Sequence, residues 1–169
     1  MEPFLAARRQ ALRQMKVADH ILNVTYPLIQ DPKLLMSVVD NVFLGLTNAM
    51  TSILLHDVHY KVIPPFKETF TAKLNMFRVR SLPHHQIDQG YVALLEEVRE
   101  LVLLHRKSSV EFRRKDRFII CQKDYTVKTV TAAKLRAYVK KAKNFMSTMD
   151  SVIYNERISR RSSRRIEAS

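Results

Sequence analysis

Arg99 and His105 stand six positions apart in "VRELVLLHRKSSVEFRRKDRFIICQ", which runs from Val98 to Gln122. A permanent cation and a titratable imidazole ahead of a dense basic run raise acid–base chemistry on a phosphate polymer. Arg13 and His20 repeat the pairing nearer the N-terminus, with six residues between them. Four more histidines bear on metal chemistry. His56 and His59 can face one way on a helix, and His84 and His85 follow in a later segment. With Asp57 or Asp88 they are the residue types that ligate a transition metal, but nothing in the spacing makes them meet, and no metal is expected. Glu96, Glu97 and Glu100 share a helix with Arg99 and read as ion-pair partners rather than paired catalytic carboxylates. The two glycines, Gly45 and Gly90, cannot build a phosphate-cradling loop. No cofactor is implied.

These residues need a scaffold, and the composition predicts a helical one. A 169-residue chain with 46% apolar residues can bury a core, and so few glycines disfavour tight hairpins. The first helix is expected from Glu2 to about Tyr26, with Pro27 ending or kinking it. Ala7, Ala11, Ala18 and Leu22 mark its inner face. Arg9, Arg13, Lys16 and His20 share its outer face, which is either simply solvated or able to meet phosphates. Asp31 and Pro32 are a helix-start signal, so a long apolar helix should follow to Lys61 or Val62, before Pro64 and Pro65. Its polar stripe, Ser37, Asn41, Asn48 and Ser52, calls for partners on a neighbouring helix or trapped water. Those polar residues make Leu34–Leu55 a central core helix rather than a membrane span. A shorter helix is expected over Phe66–Arg80 and a loop at "SLPHHQID". A further helix covers Ile87–Lys107, with Leu94, Leu95, Val98, Leu101, Val102 and His105 on its apolar stripe.

The character then changes. "RFIICQKDYTVKTVT" favours strands and predicts a hairpin of Arg117–Cys121 with Tyr125–Val130. Thr131 caps a last helix whose Leu135, Val139, Ala142, Met146, Met149 and Ile153 form a heptad seam. The fold class is therefore all-α or nearly so: an up-and-down bundle of four to five helices with a small β-hairpin before the last. Residues 1–155 form the domain, the hairpin insert taking 117–130. Residues 156–169 form a basic tail, mobile or a helical extension.

Charge placement gives the strongest functional signal. Residues 1–105 hold 11 Lys/Arg and 10 Asp/Glu, whereas residues 106–169 hold 18 and 6. That asymmetry points to a polyanionic partner, nucleic acid or an anionic membrane surface. RNA is favoured over DNA. Contacts are expected from Arg106, Lys107, Arg113, Arg114, Lys115 and Arg117 around the strands. Lys140 and Lys141 on the last helix add to them, as do Arg160, Arg161, Arg164 and Arg165 in the tail. Phe112, Phe118 and Tyr125 lie near enough to offer stacking surfaces. The start "MEPFLAARRQ" has no signal-peptide order, and Cys121, the only cysteine, excludes an intrachain disulfide and a zinc finger. A cytoplasmic setting fits.

The segment from Arg99 to His105, with five residues between, also resembles the short arginine-to-histidine signature of HEPN-type helical bundles. The resemblance implies an all-α domain in which the Arg and His from two subunits meet at a dimer cleft and cleave RNA without a metal. The Arg would stabilise phosphorane charge and the His would move a proton. On one continuous helix, however, six steps set the two side chains about 120° apart. Three readings stay open: a nucleic-acid binder, a ribonuclease using Arg99 and His105, and an interaction module or homodimer joined through the last helix.

Overall fold

In the computed structural model a long helix forms the axis on which the other elements pack. The structure describes residues 1–108, 110–114, 116–122, 124 and 126–167, and of 110, 112 and 156–167 the backbone alone. Helices α1 (Pro3–His20), α2 (Tyr26–Ile29), α3 (Lys33–His59), α4 (Phe70–Met76), α5 (Leu82–His84) and α6 (Gly90–Lys107) lead into strands β1 (Val110–Arg114), β2 (Arg117–Cys121) and β3 (Val127–Thr131), and α7 (Ala132–Glu167) follows. The axis is α3, which touches α1, α4, α6, α7 and the inner face of the sheet. It is long and apolar enough to cross a membrane by composition, yet Leu35, Val39, Val42, Leu46, Ile53 and Leu54 are all buried inside the bundle.

Prolines shape two helices in the same way. Pro27 was expected to end or kink the first helix, but the helix continues through a π turn at Ile21–Thr25 into α2. A second π turn, Phe77–Ser81, stands in the same relation to Pro83. Proline lacks an N–H and its ring crowds the carbonyl four residues back. That carbonyl belongs to Asn23 in one case and Val79 in the other, the middle of each π turn. The wider turn makes the room. "SLPHHQID" is therefore not all loop, because its first residues finish the π turn and form α5.

The helix ends follow the sequence closely. Asp31 Oδ1 accepts from the Lys33 N–H at 2.9 Å, and Thr131 Oγ1 accepts from the Lys134 N–H at 3.2 Å. With so little glycine, left-handed backbone positions fall to Gln30, Lys61 and Gln86, at φ 56°, 59° and 54°. The polar stripe of α3 does not reach a neighbouring helix at Asn41 or Asn48. Their side-chain amides donate to Ser37 O at 2.8 Å and Leu44 O at 2.9 Å on α3 itself. Ser52 alone crosses, donating to Phe4 O at 2.7 Å and tying the start of α1 to α3.

The sheet has three strands, not two. β1 pairs antiparallel with β2, and β2 with β3, Arg113 standing opposite Phe118 and Phe118 opposite Val130. The alternation in "VEFRR" is a strand signal that its charge obscures. Phe118, Ile120 and Val130 are buried and face the bundle. Phe118 is thus core, not a stacking surface for a base, while Tyr125 and the Phe112 side chain lie outside the described residues.

The α7 seam is buried throughout: Leu135, Val139, Ala142, Met146, Met149 and Ile153 are each at most 5% exposed. Its partners are α1, α3 and α6 of the same chain, so a dimer that needs this seam would have to open the core.

Close approach of α1 to α3 depends on Gly45. A Cβ there would sit 2.8 Å from Met15 Sδ and 3.5 Å from Ala11 O. Met15 can swing, so Gly45→Ala should be near neutral, helix propensity offsetting the shift. Gly45→Val adds atoms towards the α1 backbone and should cost about 2 kcal/mol, read as a lower urea midpoint with unchanged slope.

Candidate nucleic-acid interface

Helices α1 and α7 lie side by side and antiparallel, fastened at two points. Arg8 Nε donates to Asp150 Oδ1 at 2.6 Å, and Lys143 Nζ donates to Asp19 Oδ1 at 2.7 Å. The bond to Asp150 raises the Arg8 pKa above its ordinary value. Between the helices runs a shallow seam. Towards the N-terminal end of α1 it widens into a groove of about 570 Å³ with Leu5, Leu12 and Val17 beside Arg8, Arg9, Arg13, Lys16 and Tyr154. Towards the other end a depression of about 270 Å³ is lined by Arg136, Lys140 and Lys143 beside Asp19 and Asn23. From Arg136 to Tyr154 the seam covers about 27 Å of helix.

The charge along it is one-sided. Asp150 is held by Arg8 and Asp19 by Lys143. Arg9, Arg13, Lys16, Arg136 and Lys140 are exposed, and none pairs with a carboxylate among the described residues. Periodicity alone marks Arg9, Arg13 and Lys16 as one face of the first helix. Arg136, by contrast, is singled out only by its place across the seam.

The other expected contacts are dispersed. Lys141 is exposed but turned about 100° from Lys140. Arg106 and Lys107 are exposed at the C-terminal end of α6, where cations suit the helix dipole. Arg113 lies 3.8 Å from Asp31, and Arg117 donates to Asp116 at 3.2 Å. Arg114 stands opposite Arg117 in the register, an unfavourable like-charge pair unless an anion joins them. Lys115 lies outside the described residues, as do the side chains of Arg160, Arg161, Arg164 and Arg165, although the α7 backbone stays helical to Glu167.

Arg99 and His105 open into different depressions. The Arg99 guanidinium lies over the Phe70 ring, 4.4 Å from its centroid. Its groove of about 480 Å³ also holds Arg78, Lys107, Glu96 and Glu100, a mixed-charge surface. His105 Nδ1 is 2.8 Å from Glu111 Oε1, and its ring meets the Phe118 ring edge-on at 5.6 Å. Beside it is a depression of about 370 Å³ with Lys33, Asp40 and Arg113. Burial raises the Asp40 carboxyl pKa, with His105 and Arg106 opposing. Neither of these two depressions is lined by both side chains.

A buried polar cluster closes the end of α3. Ser81 Oγ donates to Asp57 Oδ2 at 2.5 Å, and His85 Nε2 is 2.7 Å from Asp57 Oδ1. His56 Nδ1 lies 3.5 Å from the same oxygen. An ionised carboxylate only accepts, so Nε2 of His85 carries the proton of that bond. Burial pushes the Asp57 carboxyl up, but bonds from His56, His85 and Ser81 outweigh it and hold it well below the ordinary carboxylate range. Of the histidines considered as ligands, the fold gathers His56 and His85 around Asp57. His59 lies 4.0 Å from Glu2, and Asp88 instead accepts from the Gly90 N–H at 2.6 Å. Among the described residues no group of three His, Cys, Asp or Glu could hold a metal ion. The cluster is a clamp between α3 and the α5 turn.

Fold and surface together define a mostly α-helical bundle with a three-stranded antiparallel sheet before the last helix and a basic seam on one side. The chain matches no family model, no curated protein and no solved structure.

Proposed function

We propose that this protein binds nucleic acid, RNA ahead of DNA, by its phosphate backbone and shape. One observation carries the reading. Five exposed cations line the two depressions along α1 and α7, and none of them is ion-paired with a carboxylate among the described residues. Like charges gathered at this density repel one another, and a phosphate chain relieves that repulsion while releasing its own counterions. The cations line a depression between two helices instead of one projecting helix that could enter a DNA major groove, which favours RNA. The seam is dominated by cations suited to phosphate oxygens, so contacts should be largely sequence-independent.

Binding should therefore weaken steeply with salt. If the five cations each meet one phosphate of a single strand, the slope of log affinity against log salt should be roughly −3.5. Fluorescence anisotropy with a labelled oligoribonucleotide between 50 and 200 mM salt measures it, with duplex DNA as comparator. A flat response, or no binding at the low-salt end, removes the reading.

A further inference from the structure

We propose that the α1–α7 groove takes single-stranded nucleic acid and stacks one unpaired base on Tyr154, an assignment that rests on the nucleic-acid reading above. Tyr154 is an aromatic residue left 40% exposed, and it stands in the wall of a depression that also holds Arg8, Arg9, Arg13 and Lys16. Its ring is held, not loose. The Arg8 guanidinium lies 5.1 Å from its centroid, and Asp150 fixes that guanidinium through Nε and a second contact at 3.4 Å. Arg8 is thereby neutralised and acts as a positioning residue rather than a phosphate contact.

The rest of the groove divides by chemistry. Leu5, Leu12 and Val17 supply apolar surface next to the ring, whereas Arg9, Arg13 and Lys16 supply charge along its rim. The rim cations recur every three to four residues, so successive charges sit about 4.5–6 Å apart along the helix. A duplex keeps its base faces stacked inside and would leave the tyrosine and the leucines unused. An unpaired base offers a π-face to the ring while its flanking phosphates reach the rim. Base stacking of this kind is tolerant of sequence, because every base has a π-face.

The chain contains no tryptophan, so Tyr154→Trp makes the groove report on itself through a single indole. Oligouridylate should quench that emission saturably, and a blunt RNA duplex of equal length should not. Tyr154→Ala should lose about tenfold in affinity for the single strand while Tyr154→Phe keeps it, and duplex affinity should be the same in all three. Circular dichroism checks that each variant keeps its helix content. Wild-type single-strand affinity in Tyr154→Ala, or unchanged indole emission at saturation, overturns the single-strand assignment and leaves the nucleic-acid reading in place. Absence of binding to either polymer overturns both.

Discussion

Asp57→Ala should remove about 3–5 kcal/mol of folding stability, the range for breaking one partner out of a buried charged network. Asp57 is fully buried, as are His56 and Ser81, and His85 is nearly so. Deleting the carboxylate takes the acceptor away from the Ser81 hydroxyl and the His85 Nε2–H in a buried site. It also removes the link between α3 and α5. For a chain of this size the melting temperature should fall by roughly 10 °C. Asp57→Asn keeps the shape and one acceptor, and should cost about 2 kcal/mol. The pH dependence separates charge from shape. Because the native carboxyl is held below its unfolded value, its stabilisation is complete above about pH 4 and is lost as pH falls below that. The stability gap between the wild type and Asp57→Asn should be widest near neutrality and narrow between about pH 4 and pH 2. Urea unfolding at three pH values reads it, and a gap independent of pH would mean that packing, not the charge, explains the loss.

The second large effect concerns binding and not folding. Arg9→Ala, Arg13→Ala and Lys16→Ala combined should weaken RNA binding on the order of a hundredfold at moderate salt, at about 1 kcal/mol for each lost phosphate contact. The salt slope should become shallower by roughly 2. The three residues are exposed on a regular helix, where alanine is at least as good a helix former, so the loss will not come from unfolding. A matched triple at the sheet, Arg113→Ala, Arg114→Ala and Arg117→Ala, is the control. Two of those arginines already face carboxylates, and its effect should stay within about threefold. Equal losses from both triples would mean that diffuse charge, and not the seam, attracts the polymer.

Much of the architecture could be read along the chain. Period-3.6 apolar patterning marks the faces of α1, α6 and α7. Asp31 and Thr131 mark two helix starts, and the β-rich run after Arg117 marks β2 and β3. These features are local, and neighbouring side chains along one helix or strand are enough to specify them. The third strand escaped because the charges of "VEFRR" outweigh its alternation, and both π turns escaped because a proline normally signals an end.

The candidate nucleic-acid surface is a different matter. Nearly all of the net positive charge lies in plain view in residues 106–169, and it singles out Arg106 through Arg117. Only the folded chain shows that several of those cations are paired or dispersed. It also packs the helix that carries Arg9, Arg13 and Lys16 against the helix that carries Arg136 and Lys140, more than a hundred positions away. The Asp57, Ser81 and His85 clamp has the same origin. Sequence determined which residues face outward on each element, because that depends on helical and strand periods; tertiary packing alone decided which outward faces become neighbours, because long-range pairing depends on how the buried faces fit together.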